Sequence, residues 1–245
     1  MFSLLARLFI LGASALGCAT VMAQMFSPGY ALSGAPMSNF LSTSYLTQSV
    51  SNSLASPSEG KSERRAAPGL RPFKEGGLSA DLKARTAGPS LMPARMAQHY
   101  PAQQRPQAQA LFEDLLARYA QVERQFEIPR GDLPGAVAAF LAGSWMGLHN
   151  ADFPDAQFRP VVEQMRSILA NNPQLQAAAD TEKREMYEQM AILGMLMAGT
   201  QMGLKQKADA AIERNMRVTA RAYLEQFLKT DADRVHMTAA GLVLR

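Results

Sequence analysis

Residues 190–204 read MAILGMLMAGTQMGL, a stretch that is apolar nearly all round when it is wound as a helix. A helix without a polar face is buried on every side. The stretch is too short to span a bilayer, which takes about 20 residues, so it belongs in a protein core. Small residues let neighbouring backbones approach closely, and here they are Gly194, Ala198, Gly199 and Gly203. We therefore expect a central helix with other helices packed around it.

Four further segments repeat apolar residues at the helical spacing of three or four. Their apolar positions are Leu111, Phe112, Leu115, Leu116, Tyr119 and Val122; Val137, Phe140, Leu141, Trp145 and Leu148; Phe158, Val161, Val162, Met165, Ile168 and Leu169; and Ile212, Met216, Ala220, Tyr223 and Phe227. Asp132 is a good N-cap for the second segment, and Pro134 fits its first turn. We expect residues 235–244 to be extended and to lie across the bundle.

These patterns predict an all-α fold, a single bundle of about five helices around the buried helix rich in Met and Gly. We expect this helical domain to occupy residues 103–245, because the helical periodicity begins at Gln103. One apolar helix surrounded by four others makes one core, so the segments form one domain rather than two.

Two motifs stand out in this domain, DLPGAVAAFLAG at residues 132–143 and EKREMYEQ at residues 182–189. Together they resemble an uncharacterised family of exported bacterial helical domains, a domain of unknown function. The resemblance covers about residues 106–244. It implies a helical fold and assigns no activity, cofactor or site residue.

The first 23 residues have the pattern of a secretory signal peptide. A single basic residue precedes an apolar run of about ten residues at positions 8–17. The compact residues that follow place the cleavage between Ala23 and Gln24. The alternative is a lipoprotein signal, in which Cys18 is lipidated and becomes the first residue of a membrane-anchored protein.

Residues 24–102 are rich in Ser, Pro, Gly and Ala and hold no helical period for three turns. We expect a disordered basic linker, because such a segment buries too little apolar surface to offset chain entropy. For residues 39–46 the alternative is a short helix or packing on the domain. From Pro101 onward the chain has 16 basic and 17 acidic residues. A neutral domain with its excess of positive charge on a linker argues against nucleic-acid binding.

No motif in the chain predicts a catalytic, cofactor or metal site. The single cysteine, Cys18, lies in the signal, so the mature chain has no thiol. The three histidines (His99, His149 and His236) do not have the spacing of metal ligands. Trp145 and His149 share one helix face and form a candidate ligand corner, for which a core tryptophan beside a helix-end histidine is the alternative.

Three glutamates recur at three-residue spacing near the start of the central helix, namely Glu182, Glu185 and Glu188. Carboxylates so placed could pair as acid and base or hold a hard cation. A solvated first turn explains them better, because the helix dipole favours negative charge there.

We expect a non-enzymatic interaction or accessory module of the bacterial envelope or extracellular space, either periplasmic or secreted. Its expected partner is a protein or an envelope component, and a membrane only if Cys18 is lipidated. The alternative is an exported enzyme of unrecognised type with its site near Trp145 and His149.

Overall fold

The apolar stretch forms the middle of a helix of 27 residues, Asp180–Gln206, in a computed structural model that describes residues 44–55 and 82–245. Every residue of this helix from Met186 to Met202 is buried. The prediction of a central buried helix is therefore confirmed.

The described residues form eight α-helices and one two-stranded sheet. In chain order the elements are α1 (Ser44–Ala55), α2 (Met92–Ala97), α3 (Arg105–Gln125), α4 (Leu133–His149), α5 (Asp155–Ala170), α6 (Pro173–Ala177), α7 (Asp180–Gln206), α8 (Ala210–Leu228), β1 (Val235–Thr238) and β2 (Gly241–Leu244). The all-α prediction is confirmed, and the five predicted helices are the five longest, α3, α4, α5, α7 and α8.

Helices α4 and α7 lie side by side and touch through their backbones. A Cβ atom built on Gly194 would lie 2.6 Å from backbone atoms of α4, and one built on Gly143 would meet the backbone of Gly194. Gly147, one turn after Gly143, lies against Met197, so the two helices run in the same direction. Of the small residues singled out in the sequence, Gly194 makes this contact, whereas Gly203 faces open space.

The remaining long helices cover this pair. Helices α5 and α8 pack on α4, and α3 packs on α7. Aromatic rings mark the contact of α4 with α8, where the Phe140 ring lies 5.2 Å from that of Phe227 and 5.8 Å from that of Tyr223. Helix α4 begins as predicted, because the Asp132 side chain accepts a hydrogen bond of 2.9 Å from the backbone N–H of Gly135.

The C-terminal residues are extended, as predicted, and form an antiparallel hairpin of β1 and β2. A side chain of α5 holds this hairpin on the bundle. Gln164 donates to the carbonyl oxygen of Leu242 at 2.7 Å and accepts from the N–H of Leu242 at 2.8 Å. The amide side chain thus satisfies both backbone groups of one strand residue.

The folded domain begins earlier in the chain than residue 103, the start predicted from the sequence. Helix α1 packs on α5 and α8 with Val50 fully buried, and Leu82, Ala84 and Met96 are also buried. These parts of the predicted linker belong to the domain. The search for a helical period does not find α2, because this helix has only six residues. It does not find the segment of Leu82 and Ala84 either, because an extended segment shows no such period.

The predicted signal peptide, with the cleavage residues Ala23 and Gln24 and the lipidation candidate Cys18, lies outside the described residues. Residues 56–81 of the predicted linker lie outside them as well. Within the part of the chain that the structure describes, no helix combines the length and the hydropathy that a membrane span requires.

Candidate functional site

The first half of α7 holds an extended segment of the same chain, residues 82–91, which we call the strap. The strap leads directly into α2 and lies across α7 close to α3. Its anchors on α7 are charged side chains one turn apart, so they project from one face of the helix.

Arg184 binds the strap through three consecutive carbonyl groups. Its guanidinium donates to the carbonyl oxygens of Ala87 at 2.7 Å, Gly88 at 3.1 Å and Pro89 at 2.5 Å. The Nε atom of the same group donates to Glu188 at 2.8 Å. A planar guanidinium has five donors in a fixed fork, and here four contacts use it.

Glu188 binds Leu91 and Met92, which follow after Ser90, through their amide groups. Its Oε2 atom accepts from the backbone N–H of Leu91 at 2.7 Å and from that of Met92 at 2.9 Å. The Glu188 side chain is only 2% exposed and that of Arg184 12% exposed. A buried ion pair of this kind is favourable only when further hydrogen bonds satisfy both partners, which the strap backbone provides here.

Two ion pairs flank the hydrogen bonds that Arg184 and Glu188 make with the strap. Arg85 of the strap lies 2.9 Å from Asp180 at the start of α7, and Arg95 of α2 lies 2.6 Å from Glu185. Both pairs are largely exposed, so each contributes little to stability but fixes the position of the strap along α7.

The strap also forms a short antiparallel bridge with the loop that precedes α4. Lys83 pairs with Asp132, and the N–H of Ala84 donates to the carbonyl oxygen of Gly131 at 2.8 Å. Gly131 has a φ angle of +80°, and a Cβ atom there would lie 2.5 Å from the carbonyl oxygen of Ala84. A glycine is therefore required on both conformational and steric grounds.

A cleft of about 220 Å³ lies between the strap, α3 and α7. Its lining is both polar and apolar and includes Thr86, Ser90, Glu113, Leu116, Ala117, Ala120, Arg130, Arg184, Tyr187 and Glu188. Arg130 and Glu113 both line the cleft and are both exposed, so they add one charge of each sign. The cleft thus offers hydroxyl groups and charges of both signs.

Beneath the cleft, the buried carboxyl group of Glu123 connects α3 to α7 and to the loop. Its Oε1 atom accepts from the Tyr187 hydroxyl at 2.9 Å and from the N–H of Gly131 at 2.9 Å. Burial raises the pKa of Glu123 to about 7, although these two hydrogen bonds oppose the change. Within the described residues, Glu123 Oε2 and the Tyr119 hydroxyl have no hydrogen-bond partner.

Asp132 is the second buried carboxyl group of this region. It forms an ion pair of 2.8 Å with Arg166 of α5, in addition to capping α4. Burial raises the pKa of Asp132, and Arg166 opposes the change. Burial also raises the pKa of Tyr119 well above its ordinary value, and the neighbouring Glu123 adds to the increase.

The predicted corner of Trp145 and His149 lies elsewhere, at the C-terminal end of α4. The two rings are 4.7 Å apart, and Trp145 also contacts Phe153 edge to face at 6.0 Å. Trp145 is half-buried in the aromatic packing and His149 is exposed. Partial burial lowers the pKa of His149, and the nearby Asp233 opposes this. The structure brings the two side chains together, as their spacing requires.

The three glutamates of α7 divide into different roles. Glu182 accepts from the N–H of Ala179 at 3.0 Å and caps the helix, as a first-turn acid is expected to do. Glu185 pairs with Arg95, and Glu188 is buried under the strap. The interpretation of all three as a solvated first turn is therefore wrong for Glu188. Among the described residues, no group of three or more His, Cys, Asp or Glu side chains could hold a metal ion.

Sequence reasoning missed the site itself, which is built on Arg184 and Glu188. The sequence contains one indication of the site, which is the i, i+4 spacing of this charged pair next to an apolar helical stretch. A charged pair in that position is either exposed to solvent or bound by another segment. The sequence does not indicate which segment engages it, because the contacts are made to the backbone of residues 87–92 and not to its side chains.

Replacing Glu188 with alanine is expected to lower the free energy of unfolding by about 2–3 kcal/mol, because two amide groups and a buried guanidinium lose their partner. Urea denaturation followed by circular dichroism would measure the change. Glu213→Ala is the matched control, since it removes an exposed i, i+4 pair with Arg217 and should cost under about 0.5 kcal/mol. Equal effects of the two substitutions would show that the grip on the strap does not stabilise the fold.

Comparison with known proteins gives a family match over nearly the whole chain. The model of a family of unknown function, DUF6683, matches residues 8–245. No curated protein matches the chain, and no solved structure matches it either. The resemblance to an uncharacterised family that the two sequence motifs suggested is thus confirmed. On the strength of this match, the chain belongs to DUF6683, a family of unknown function.

Proposed function

We propose that the protein is an exported, non-enzymatic interaction module of the bacterial envelope or extracellular space, and that the cleft between strap, α3 and α7 is its interaction surface. The proposal rests on one observation. Arg184 and Glu188 form hydrogen bonds with five consecutive peptide units, from the carbonyl of Ala87 to the N–H of Met92. The bundle thus has a surface built to hold polypeptide.

The chemistry of the cleft supports binding rather than catalysis. A general acid, base or nucleophile needs an atom that is free to exchange a proton with a substrate or to attack it. Both oxygens of Glu188 and the guanidinium of Arg184 are engaged by the strap and by each other. Groups with this arrangement fix the position of a chain.

The N-terminal sequence supports the location. A signal peptide of the ordinary type, cut between Ala23 and Gln24, would release the mature protein into the periplasm or the medium. The partner we propose is a protein or an envelope component. A nucleic acid is a poor candidate, because the domain from Pro101 onward is close to neutral.

The proposal is tested by site-specific photo-crosslinking in the native host. A photoreactive amino acid is placed at Ala117, an exposed residue on the wall of the cleft. The matched control carries it at Val218 of α8, which is 59% exposed. We expect a discrete adduct from the Ala117 position in the periplasmic or secreted fraction, with none from Val218. Intact mass of the uncrosslinked protein should show a chain that begins at Gln24.

Four results would contradict the proposal. The same adducts from both positions, or no adduct from Ala117, would show that the cleft is not an interaction surface. A protein that keeps the signal segment, residues 1–23, and stays in the cytoplasm would show that it is not exported. A membrane-bound species that begins at a lipidated Cys18 would overturn the soluble form and support the anchored alternative.

A further inference from the structure

We propose that the strap occupies a groove for a basic, extended polypeptide segment, and that a segment of this kind from a partner protein binds there in place of the strap. The inference rests on the proposed function and adds to it the chemical class of the partner. Three features of the described residues carry it: contacts to the main chain, alternating burial and complementary charge.

Because the groove contacts the main chain of the strap, a segment with another sequence can bind in it. Arg184 and Glu188 use carbonyl and amide groups that every polypeptide has, and the residues at positions 87–89 are exposed. Recognition through the backbone, with selected side chains supplying specificity, is how extended peptides bind to many protein surfaces. A foreign segment can therefore form the same hydrogen bonds if it has a glycine at the position of Gly88, where φ is +85°.

Alternating burial sets a first requirement on that segment. Leu82 and Ala84 are buried, whereas Lys83 and Arg85 between and after them are exposed. This period of two is that of a strand with one face on a protein surface. The bridge to Gly131 adds a backbone hydrogen bond on this stretch. A partner segment needs small or branched apolar residues two positions apart.

Complementary charge sets the second requirement. The face of α7 beneath the strap carries three acidic side chains, Asp180, Glu185 and Glu188, against one basic side chain, Arg184. The sixteen residues 82–97 contain three basic residues and no acidic one. Arg85 and Arg95 are the two that pair with α7. The groove thus selects a basic segment and disfavours an acidic one.

The test uses a labelled peptide with the sequence of residues 82–97, LKARTAGPSLMPARMA, as the probe. The full chain is prepared with Leu82→Asp and Ala84→Asp, which place two carboxylates in buried positions and release the strap. Fluorescence anisotropy should show saturable binding of the peptide to this variant. Wild-type protein should bind it about tenfold more weakly or worse, because its own strap competes at a high effective concentration.

Matched controls assign the binding to the groove. Adding Arg184→Ala and Glu188→Gln to the strap-released variant should weaken binding by about tenfold or more, since charge-assisted hydrogen bonds to the main chain are lost. A peptide with aspartate at the positions of Leu82 and Ala84 should not bind. Unchanged affinity in either control would overturn the inference, as would a folded strap-released variant that does not bind the probe.

Hydrogen exchange on the wild-type protein provides a second test that does not depend on a variant that folds. Replacement of the strap by a partner segment requires the strap to detach locally. Such a local opening costs less free energy than global unfolding. The amides of Ala84, Leu91 and Met92 should therefore exchange at least about 100-fold faster than those of residues 191–198. Equal protection of the two groups would overturn the inference.

The two proposals fail in different experiments. An adduct at Ala117 in the host without peptide binding in the anisotropy assay would overturn the inference about the strap and leave the interaction module in place. Peptide binding in the assay without any adduct in the host would support the groove chemistry and contradict the proposed role of the cleft in the cell.

Discussion

Replacing Gly194 with alanine is expected to lower the free energy of unfolding by about 2 kcal/mol, which for a domain of this size corresponds to a melting temperature lower by about 6 °C. The measurement is thermal and urea denaturation of the full chain, followed by circular dichroism. Few single substitutions that add one methyl group to a helix have so large an effect, because alanine otherwise favours the helix by about 1 kcal/mol.

The physical reason is the backbone contact between α4 and α7. A Cβ atom on Gly194 would lie 2.6 Å from the carbonyl carbon and oxygen of Ala139 and 2.7 Å from the nitrogen of Phe140. These are main-chain atoms of a buried helix, so they cannot move aside as a flexible side chain would. The methyl group is accommodated only if the two central helices separate, which opens gaps along the rest of their interface.

Gly203→Ala is the matched control on the same helix. Apart from its chain neighbours and the backbone of its own helix, no heavy atom of the described residues lies within 4 Å of a Cβ atom built there. The substitution should therefore raise the free energy of unfolding by about 0.5–1 kcal/mol through helix propensity alone. The two glycines are thus expected to respond with opposite signs. Destabilisation by both, or by neither, would show that α4 and α7 are not in backbone contact at Gly194.

This pair of glycines also shows how far the sequence predicts the fold. The apolar composition of residues 190–204 is sufficient to predict a buried central helix, and Asp132 with Pro134 predicts where α4 begins. The choice between Gly194 and Gly203 as the contact depends on where the neighbouring helix crosses. Crossing position is set by the packing of side chains from both helices, and a single sequence does not give it.

The candidate site was harder to predict than the fold, because its parts are far apart in sequence and lack periodicity. Glu188 and Leu91 are separated by 97 residues. The strap reads as linker by composition, since it contains Gly88 and Pro89 and only two buried apolar residues before α2. Its anchoring comes from hydrogen bonds to its backbone, and the backbone is the same in every sequence.

The ligand corner at Trp145 and His149 shows the converse limit. Helical spacing predicts correctly that the two rings share a face, and they lie 4.7 Å apart. Spacing does not say what else lies beside them, and Phe153 from the following loop packs against the tryptophan. A shared helix face is therefore a weaker indication of a ligand site than charged groups held in place by a second segment.

The stability of the protein is expected to fall as the pH rises from about 4.5 to about 7, and Glu123→Gln should remove most of this dependence. Burial raises the pKa of Glu123 from 4.5 to about 7, so in this interval the folded state holds a proton that the unfolded state has released. Stability then decreases with pH, because the folded state binds more protons. The difference amounts to about 3 kcal/mol when the carboxyl group is fully ionised.

The neighbours of Glu123 determine whether this effect can be isolated. Asp132 and Tyr119 share its buried surroundings, and Arg130 and Arg166 are the nearby cations. The raised pKa of Asp132 gives a decrease of the same sign. All four groups are retained in the Glu123→Gln variant, so their contributions cancel in the difference between the two proteins.

The readout is the slope of the free energy of unfolding against pH, measured by urea denaturation between pH 4.5 and 8. The amide of the variant keeps the Oε1 acceptor for Tyr187 and Gly131 but does not ionise. We expect the two curves to lie closest below pH 5 and to diverge until about pH 7, with the variant gaining stability relative to the wild type.

Glu113→Gln, on the exposed side of α3, should give a curve parallel to that of the wild type. If the Glu123→Gln curve is parallel as well, the carboxyl group ionises freely in the folded state. The hydrogen bonds from Tyr187 and Gly131 would then offset its burial, and the connection from α3 to the strap loop would be held by a carboxylate over most of the pH range tested.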